Sequence, residues 1–414
     1  MQSVRGFNDL YNPSDIAKWS YLESVFRSVV KQYAYDEVRL PIMEHTELFT
    51  RAIGTTTDIV HKEMYTFDDK NNKSVSLRPE GTASCVRLCL QHQLLYNQSQ
   101  RFFYIAPMFR RERPQKGRLR QFHQFGVECI GEPQPNPDIE HLIMLSDIWK
   151  SLSVSLRLKI NYIGGESTRA NYIHALKAFY KPVKHKLDEL ETRRYEQNTL
   201  RLLDSKKSWI VEYNKQAPRL IEYLNSDECS AFDAIKSALE SESIAFELDD
   251  SLVRGIDYYT GLIYEWQTDQ LGAQSAVCGG GRYDSLCSQL GKQDYPATGF
   301  SVGIERLIEL IADVTKPHVS TKAVWIDTVD VPYHKAIHMC RKIREQCDIE
   351  LLTFHQEKTL KSKLKRANHI NASYAIILGK HEHHHDTLLL KHLGTGNQQS
   401  LGLDELIQSF KTKE

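Results

Sequence analysis

The 414-residue chain has no net charge, with 53 Lys+Arg against 53 Asp+Glu. That balance excludes the blanket basicity of a nucleic-acid coat and leaves local patches as the route to any phosphate. No CxxC pair and no zinc-ribbon spacing occurs among the eight cysteines (85, 89, 129, 229, 278, 287, 340 and 347). Reduced, mostly buried thiols are therefore expected, not disulfides or structural zinc. No apolar run approaches the roughly 20 residues needed to span a bilayer. The opening MQSVRGFNDL lacks the features of a signal or transit peptide, so a soluble, cytoplasmic protein with no membrane partner is expected. Also missing are GxxxxGK[ST] and any GxGxxG after a strand, which excludes Walker-type and Rossmann nucleotide sites. A nucleotide, if bound, belongs on an antiparallel sheet. There is no internal repeat and no low-complexity segment, and the length suits two or three domains.

Against this even background one stretch stands out. FRRERPQKGRLRQFH, residues 109–123, holds six cations and one carboxylate. The flanking segments RFFYIAPMFR and QFHQFGVECIG read as strands, so the cations fall on and beside the loop of a hairpin broken by Pro114 and Gly117. Upstream, apolar residues at helical spacing from Ile16 to Tyr33 predict a helix over 15–35 with Ser14 as its cap. EVRLPI reads as a short strand interrupted by Pro41, and SVSLR as another. A turn at PQPNPD precedes a helix over 139–152. From 166 to about 245 glycine vanishes and aromatics thin, which reads as an insertion of exposed helices. Strands return in LVRGIDYYTGLIYEWQTD, in the glycine cluster VCGGGRYD, and in ATGFSVGIERLIELIAD, which runs through a glycine turn into a helix. Residues 313–322 look like a linker, after which strands and helices alternate in a small α/β domain.

Several constellations leave two readings open. Arg110 and its neighbours, Arg254 beside Gly255, and Arg306 after Gly303 can grip a polyphosphate through planar forks, or they can form surface ion pairs. Glu80 in RPEGTASC can bind an ammonium group or serve the N-terminus of a helix starting near Ala83, with Thr82 as cap. Phe122, Gln124 and Glu128 share one sheet face at period two; a buried carboxylate there needs a partner, and a ligand is one. Tyr258 and Tyr259, adjacent on a strand, are expected to point to opposite faces. The tract HEHHHD, 381–386, is read as a hairpin turn in preference to a metal site. Lys358, Lys361, Lys363, Lys365 and Arg366 are either a solvated helix face or a face toward RNA.

These segments resemble a known family. EVRLPIMEHTELF, FRRE followed by RQFHQFGVE, and GFSVGIERL resemble the three signature motifs of class II aminoacyl-tRNA synthetases. LVRGIDYYTG and CGGGRYD resemble the two further signatures of histidyl-tRNA synthetases of bacterial type; Ser285 stands where the family often has glycine. The resemblance covers nearly the whole chain. It implies an α+β fold: a six-stranded antiparallel catalytic sheet with flanking helices over 1–320, a helical insertion at about 166–245, and an anticodon-binding α/β domain over 321–414. It implies a homodimer built through the first motif, and as substrates ATP, L-histidine and tRNA(His), with Mg²⁺ on the outer phosphates and its ligands unassigned.

By motif position, Arg110 would hold the α-phosphate, Arg118 and Arg306 the outer phosphates, and Phe122 the adenine. Glu112 would join the ATP site at the start of a loop (112–116) that meets the acceptor end of the tRNA. Glu80, Thr82 and Gln124 would take the α-amino end of histidine, and Arg254 its carboxylate while also acting in catalysis. Glu128 and Tyr259 would take the imidazole nitrogens, with Tyr258 close by. The rival reading is a non-catalytic, histidine-sensing regulatory subunit of ATP phosphoribosyltransferase, a paralogue that lacks the anticodon domain.

Overall fold

The arginine-rich loop does join two long strands. In the computed structural model, Gln100–Phe109 pairs antiparallel with Gln121–Ile130 along its full length. The model describes residues 1–54, 57–115, 117–205, 207–253, 256, 258–272, 275–291, 293–311, 321–327, 331, 333–354 and 359–411. The chain divides into two compact units, 1–315 and 316–414.

In the first unit a sheet of eight strands replaces the expected six. Its centre is the antiparallel six: Gln100–Phe109, Gln121–Ile130, Ala297–Gly303, Ala276–Arg282, Thr260–Gln267 and Arg157–Tyr162. The extra two are parallel edges, Asp36–Glu37 beside Phe102 and Phe103, and Phe246–Leu248 beside Arg157–Tyr162. Strands of two and three residues carry too little period-two pattern to be read from sequence. EVRLPI is accordingly not one strand: only Glu37 lies in the edge, and pairing resumes at Met43–His45 in a separate three-stranded sheet with Ser74–Leu77 and Tyr65–Asp68.

Helices cover both faces. On one, Leu22, Phe26, Val29 and Val30 of helix Pro13–Gln32, Leu145 and Ile148 of Asn136–Ser151, and Ile235 and Leu239 of Ser226–Ser241 pack with Phe125, Val127 and Leu262. The first helix is capped by the Asn12 side chain, which accepts from the Ser14 N–H at 3.1 Å, so Ser14 is not the cap. Proline favours the first helical position, which moves the cap one residue ahead of Pro13. On the other face lie helices Thr46–Ile53 and Thr82–Gln91 and the insertion up to its closing helix, Ser226–Ser241, which packs on the first face. The insertion is neither exposed throughout nor poor in aromatics: Tyr172, Leu176, Tyr180 and Leu202 are buried, and the rings of Phe179, Tyr180 and Tyr213 pack against one another edge-on or tilted.

In the second unit, five strands run in the order Ile349–Phe354, Thr321–Asp327, Tyr374–Leu378, Leu388–His392, Gln398–Leu401. The first two junctions are parallel and the last two antiparallel. Trp325, Ile376, Leu390 and Leu406 fill one core. The expected linker lies outside the described residues except for Thr321 and Lys322, which are already strand. HEHHHD forms a short helix, Lys380–His384, and not a hairpin turn. Among the described residues no group of three His, Cys, Asp or Glu side chains is arranged to hold a metal. Lys363 is buried while Lys361, Lys365 and Arg366 are exposed, so the basic residues of helix Leu360–His369 do not form one face; Lys358 lies outside the described residues.

Candidate active site

A cavity of about 540 Å³ opens on the sheet face covered by helices Thr46–Ile53 and Thr82–Gln91. It gathers residues far apart in sequence. Glu80, Thr82, Gln124, Tyr258 and Tyr259 line one part; Arg110, Glu112, Arg118, Phe122 and Arg306 line another. Of the residues singled out from sequence, Glu128 sits beneath the cavity, held by the lining residues Thr82, Tyr104 and Tyr283. Arg254 lies outside the described residues.

The arginines are anchored before any ligand arrives. The Arg110 Nε donates to the Pro79 carbonyl at 2.9 Å, and its guanidinium lies 5.2 Å from the centre of the Phe122 ring. The planar group is thereby fixed on one edge and one face. Arg118 pairs with Glu112 at 2.8 Å. Arg306 donates from Nε to the Gly117 carbonyl at 3.1 Å and from a terminal nitrogen to Ala276 at 2.6 Å. It thus ties the hairpin loop, where Gly117 turns with φ +70°, to the start of strand Ala276–Arg282, two strands away from the hairpin. Burial and the neighbouring Arg118 lower the Arg306 pKa, while Glu112 and Glu265 oppose the shift. Such crowding of cations in a half-closed cavity favours a multiply anionic occupant.

The acidic part is built differently. Glu80 accepts from the Thr82 N–H at 2.7 Å and the Ala83 N–H at 2.9 Å. Glu80, not Thr82, therefore completes the start of helix Thr82–Gln91, and both sequence readings of Glu80 remain compatible. A carboxylate has about four acceptor sites, so two are left after the helix is served. Burial raises the Glu80 pKa, and the two backbone bonds oppose it. Released from capping, the Thr82 hydroxyl donates to Glu128 at 2.7 Å. Tyr104 donates to the same carboxylate at 3.1 Å, and Tyr283 to its other oxygen. Burial nevertheless pushes Glu128 up to about 8, with the three hydroxyls pulling down and the neighbouring Glu80 adding to the rise. Gln124 donates to the Ser301 hydroxyl at 3.4 Å, and its buried carbonyl oxygen has no partner among the described residues, so an incoming donor has a place prepared.

One expectation needs correcting, and two residues are new. Tyr258 and Tyr259 both line the cavity and are both buried, because they precede the strand that begins at Thr260; the two-face rule does not apply there. Tyr104 and Tyr283 were not found from sequence. A signal for Tyr104 existed: Gly126 is its strand partner, and a glycine inside a strand marks close approach. A Cβ at either Gly126 or Gly81 would overlap the Tyr104 ring.

Gly299 has the same part for Glu128. Its added Cβ would overlap the Glu128 carboxylate and lie 2.7 Å from the Val127 carbonyl. Since backbone cannot yield, the carboxylate must move. Gly299→Ala is expected to weaken the affinity for any ligand held by Glu128 by at least about tenfold, the size of one charged hydrogen bond. Calorimetric titration of the purified variant checks this; unchanged affinity contradicts the packing argument.

Comparisons with known proteins agree with one another. A family described as histidyl-tRNA synthetase matches residues 6–307, and one described as an anticodon binding domain matches residues 328–413. The chain is 43% identical over 410 residues to a histidine–tRNA ligase of Halorhodospira halophila, covering 98% of this chain and 97% of that one. Its fold matches the crystal structure of apo S. aureus histidyl-tRNA synthetase with a TM-score of 0.83 and 30% identity, over 99% of this chain and 100% of the other. A Bacillus halodurans protein described as an ATP phosphoribosyltransferase regulatory subunit/histidyl-tRNA synthetase shares the fold at TM-score 0.66 and 21% identity, covering 91% and 98%.

Proposed function

The chain belongs to the histidyl-tRNA synthetase family, and from that premise we propose how its cavity divides the work. The activity is the ATP-dependent attachment of histidine to tRNA, a class II ligase reaction. The observation that carries the proposal is the joining of an arginine-lined part and a carboxylate-floored part in one cavity. ATP lies on the first, with Arg110 at the α-phosphate, Arg118 and Arg306 at the outer phosphates, Phe122 against adenine, and Glu112 at the loop. Histidine lies on the second. Glu80, Thr82 and Gln124 receive its ammonium end, Arg254 its carboxylate, and Glu128 with Tyr259 and Tyr258 its ring.

The two nitrogens of imidazole differ, so a carboxylate and a phenol satisfy donor and acceptor together. A site built for those bonds rejects isosteres that lack them. The histidine carboxylate attacks the α-phosphate, pyrophosphate departs, and a ribose hydroxyl of the terminal adenosine takes the acyl group from the adenylate. No protein nucleophile is required. The side chains position the reactants and offset charge developing at phosphorus.

Mg²⁺ belongs to the proposal as an ion that neutralises the outer phosphates. Such an ion would be held chiefly by phosphate oxygens and water. Glu112 and Glu265, which line the cavity near Arg306, would be carboxylates within reach of such an ion. Residues 1–320 would perform catalysis and 321–414 would contact the anticodon. The homodimer is proposed on the three-stranded sheet, where Met43 and Phe67 share one exposed face by register and Ile42 adjoins it. A cytoplasmic location completes the reading, and no helix among the described residues is long and apolar enough to cross a membrane.

The regulatory reading is less supported: the 43% relative is a ligase, and the anticodon-binding match spans the second unit. A charging assay tests the choice. Histidyl-tRNA should accumulate with AMP in equal amount, and none should form without ATP. Histidine binding with no charging would favour the regulatory reading.

A further inference from the structure

The insertion is attached to the sheet at a place that also shapes the cavity. Its first helix, Glu166–Tyr180, follows directly from the strand Arg157–Tyr162. At that exit the backbone exchanges two hydrogen bonds with the strand that follows the tyrosine pair. Ile163 N–H donates to the Gly261 carbonyl at 2.7 Å, and Gly261 N–H donates to Gly164 at 3.1 Å. Both glycines turn with positive φ, +65° and +59°, where a side chain is disfavoured. One turn into the helix, the Arg169 guanidinium donates to the Tyr259 carbonyl at 2.9 Å.

A second tie fixes the same turn. The buried Glu228 carboxylate accepts from the Gly165 N–H at 2.6 Å, the Thr168 hydroxyl at 2.6 Å and the Asn225 N–H at 3.0 Å. Gly165 and Thr168 begin the insertion, and Asn225 caps the helix that ends it. That closing helix, Ser226–Ser241, is packed on the sheet through Phe232, Ile235 and Leu239. Glu228 is thus rooted in the catalytic core and closes both ends of the insertion. Thr168, which it holds, is the immediate neighbour of Arg169.

We propose that Arg169 is a positioning residue for the amino-acid site: it holds the Tyr259 backbone through a carbonyl clamp whose own position is set by the Glu228 clasp. The insertion thereby acts on histidine binding without touching histidine. Tyr258 and Tyr259 precede the ladder that starts at Thr260, so the strand pairing does not itself include them. At Tyr259 the Arg169 guanidinium adds a donor from outside the ladder. A charged donor to a carbonyl is among the stronger single contacts available.

This inference rests on the reading of the cavity as a histidine site, and the experiment separates the two. Histidine-dependent and ATP-dependent ATP–pyrophosphate exchange, histidine affinity by calorimetry, and thermal denaturation are read on wild type, Arg169→Ala, Arg169→Lys and Glu228→Gln. Arg169→Ala is expected to raise KM for histidine about tenfold while KM for ATP moves less than about twofold, the loss of one charge-assisted bond. Arg169→Lys, which keeps a cationic donor, should recover most of that loss. Glu228→Gln, with one acceptor oxygen fewer for three donors, should shift KM for histidine in the same direction by about threefold.

A fall in thermal stability with both KM values unchanged, or an equal rise in both, overturns the proposal and leaves Arg169 a plain strut. A wild-type chain that binds no histidine and exchanges nothing removes the cavity reading itself. A chain that binds histidine without exchange still tests Arg169, through its affinity.

Discussion

Glu128→Gln is expected to lower kcat/KM for histidine in pyrophosphate exchange by about 10³-fold, in keeping with sites whose buried polar groups are matched to one substrate. KM for ATP should move little, since the arginine-lined part is untouched. The reason is geometric. Thr82, Tyr104 and Tyr283 all aim hydroxyl protons at this carboxylate, and an amide nitrogen cannot accept them. One of the three must lose its bond or rotate, and the ring of the substrate loses its acceptor at the same time. Steady-state exchange against histidine concentration is the check; a loss below about tenfold contradicts the assigned role.

The same substitution carries a signature in stability. Burial lifts Glu128 from its ordinary 4.5 to about 8. A carboxyl raised in the folded state stabilises the fold fully below about pH 4.5, and that contribution is lost as the pH rises through about 8. Glutamine has no proton to lose. The ligand-free variant should therefore gain stability relative to wild type between about pH 5 and about pH 8.5, while losing activity. Such opposition of stability and function is common where a charge is kept buried for a ligand. Melting curves of both proteins at the two pH values read the difference, and a constant gap would falsify the burial argument.

The second large effect is expected at Arg110. Arg110→Ala should lower kcat for exchange by about 10³-fold, the range seen when a cation at a transferring phosphoryl group is removed. Arg110→Lys should rescue little. The guanidinium is anchored by Nε to the Pro79 carbonyl and by its face to Phe122, and only a planar fork can hold that pose while offering further N–H bonds to phosphate. An ammonium has neither the edge nor the plane. If the lysine variant exchanges at near wild-type rate, the α-phosphate assignment is wrong. Because Phe122 lines the cavity and both it and Arg110 are only partly buried, the melting temperature should stay close to that of wild type.

Much of this site was legible because period-two spacing is robust in long strands. Phe122 and Gln124 line the cavity together, with Glu128 in line beneath them, as the alternation of Gln121–Ile130 requires. The hairpin was legible for the same reason, with ten residues on each side and turn formers between. What escaped was set by tertiary contact. Tyr283 reads in sequence as the tail of a glycine cluster, and only the fold turns its hydroxyl onto Glu128. Tyr258 and Tyr259 broke the alternation rule because the strand starts only at Thr260, after both of them. The two edge strands are too short for any periodicity. The cap at Asn12 and the helix at Lys380–His384 were decided by one proline and by local hydrogen bonding, such as the Gly379 N–H donating to Glu382 at 3.1 Å.

Arg254 is the one residue assigned a catalytic part that lies outside the described structure, and the most direct test of the whole account uses it. ATP–pyrophosphate exchange is measured with each standard amino acid in turn, on the wild-type chain and on Arg254→Ala. The account predicts exchange with histidine alone, largely lost in the variant. No exchange with any amino acid, together with measurable histidine binding, would contradict it and place the chain with the regulatory paralogues.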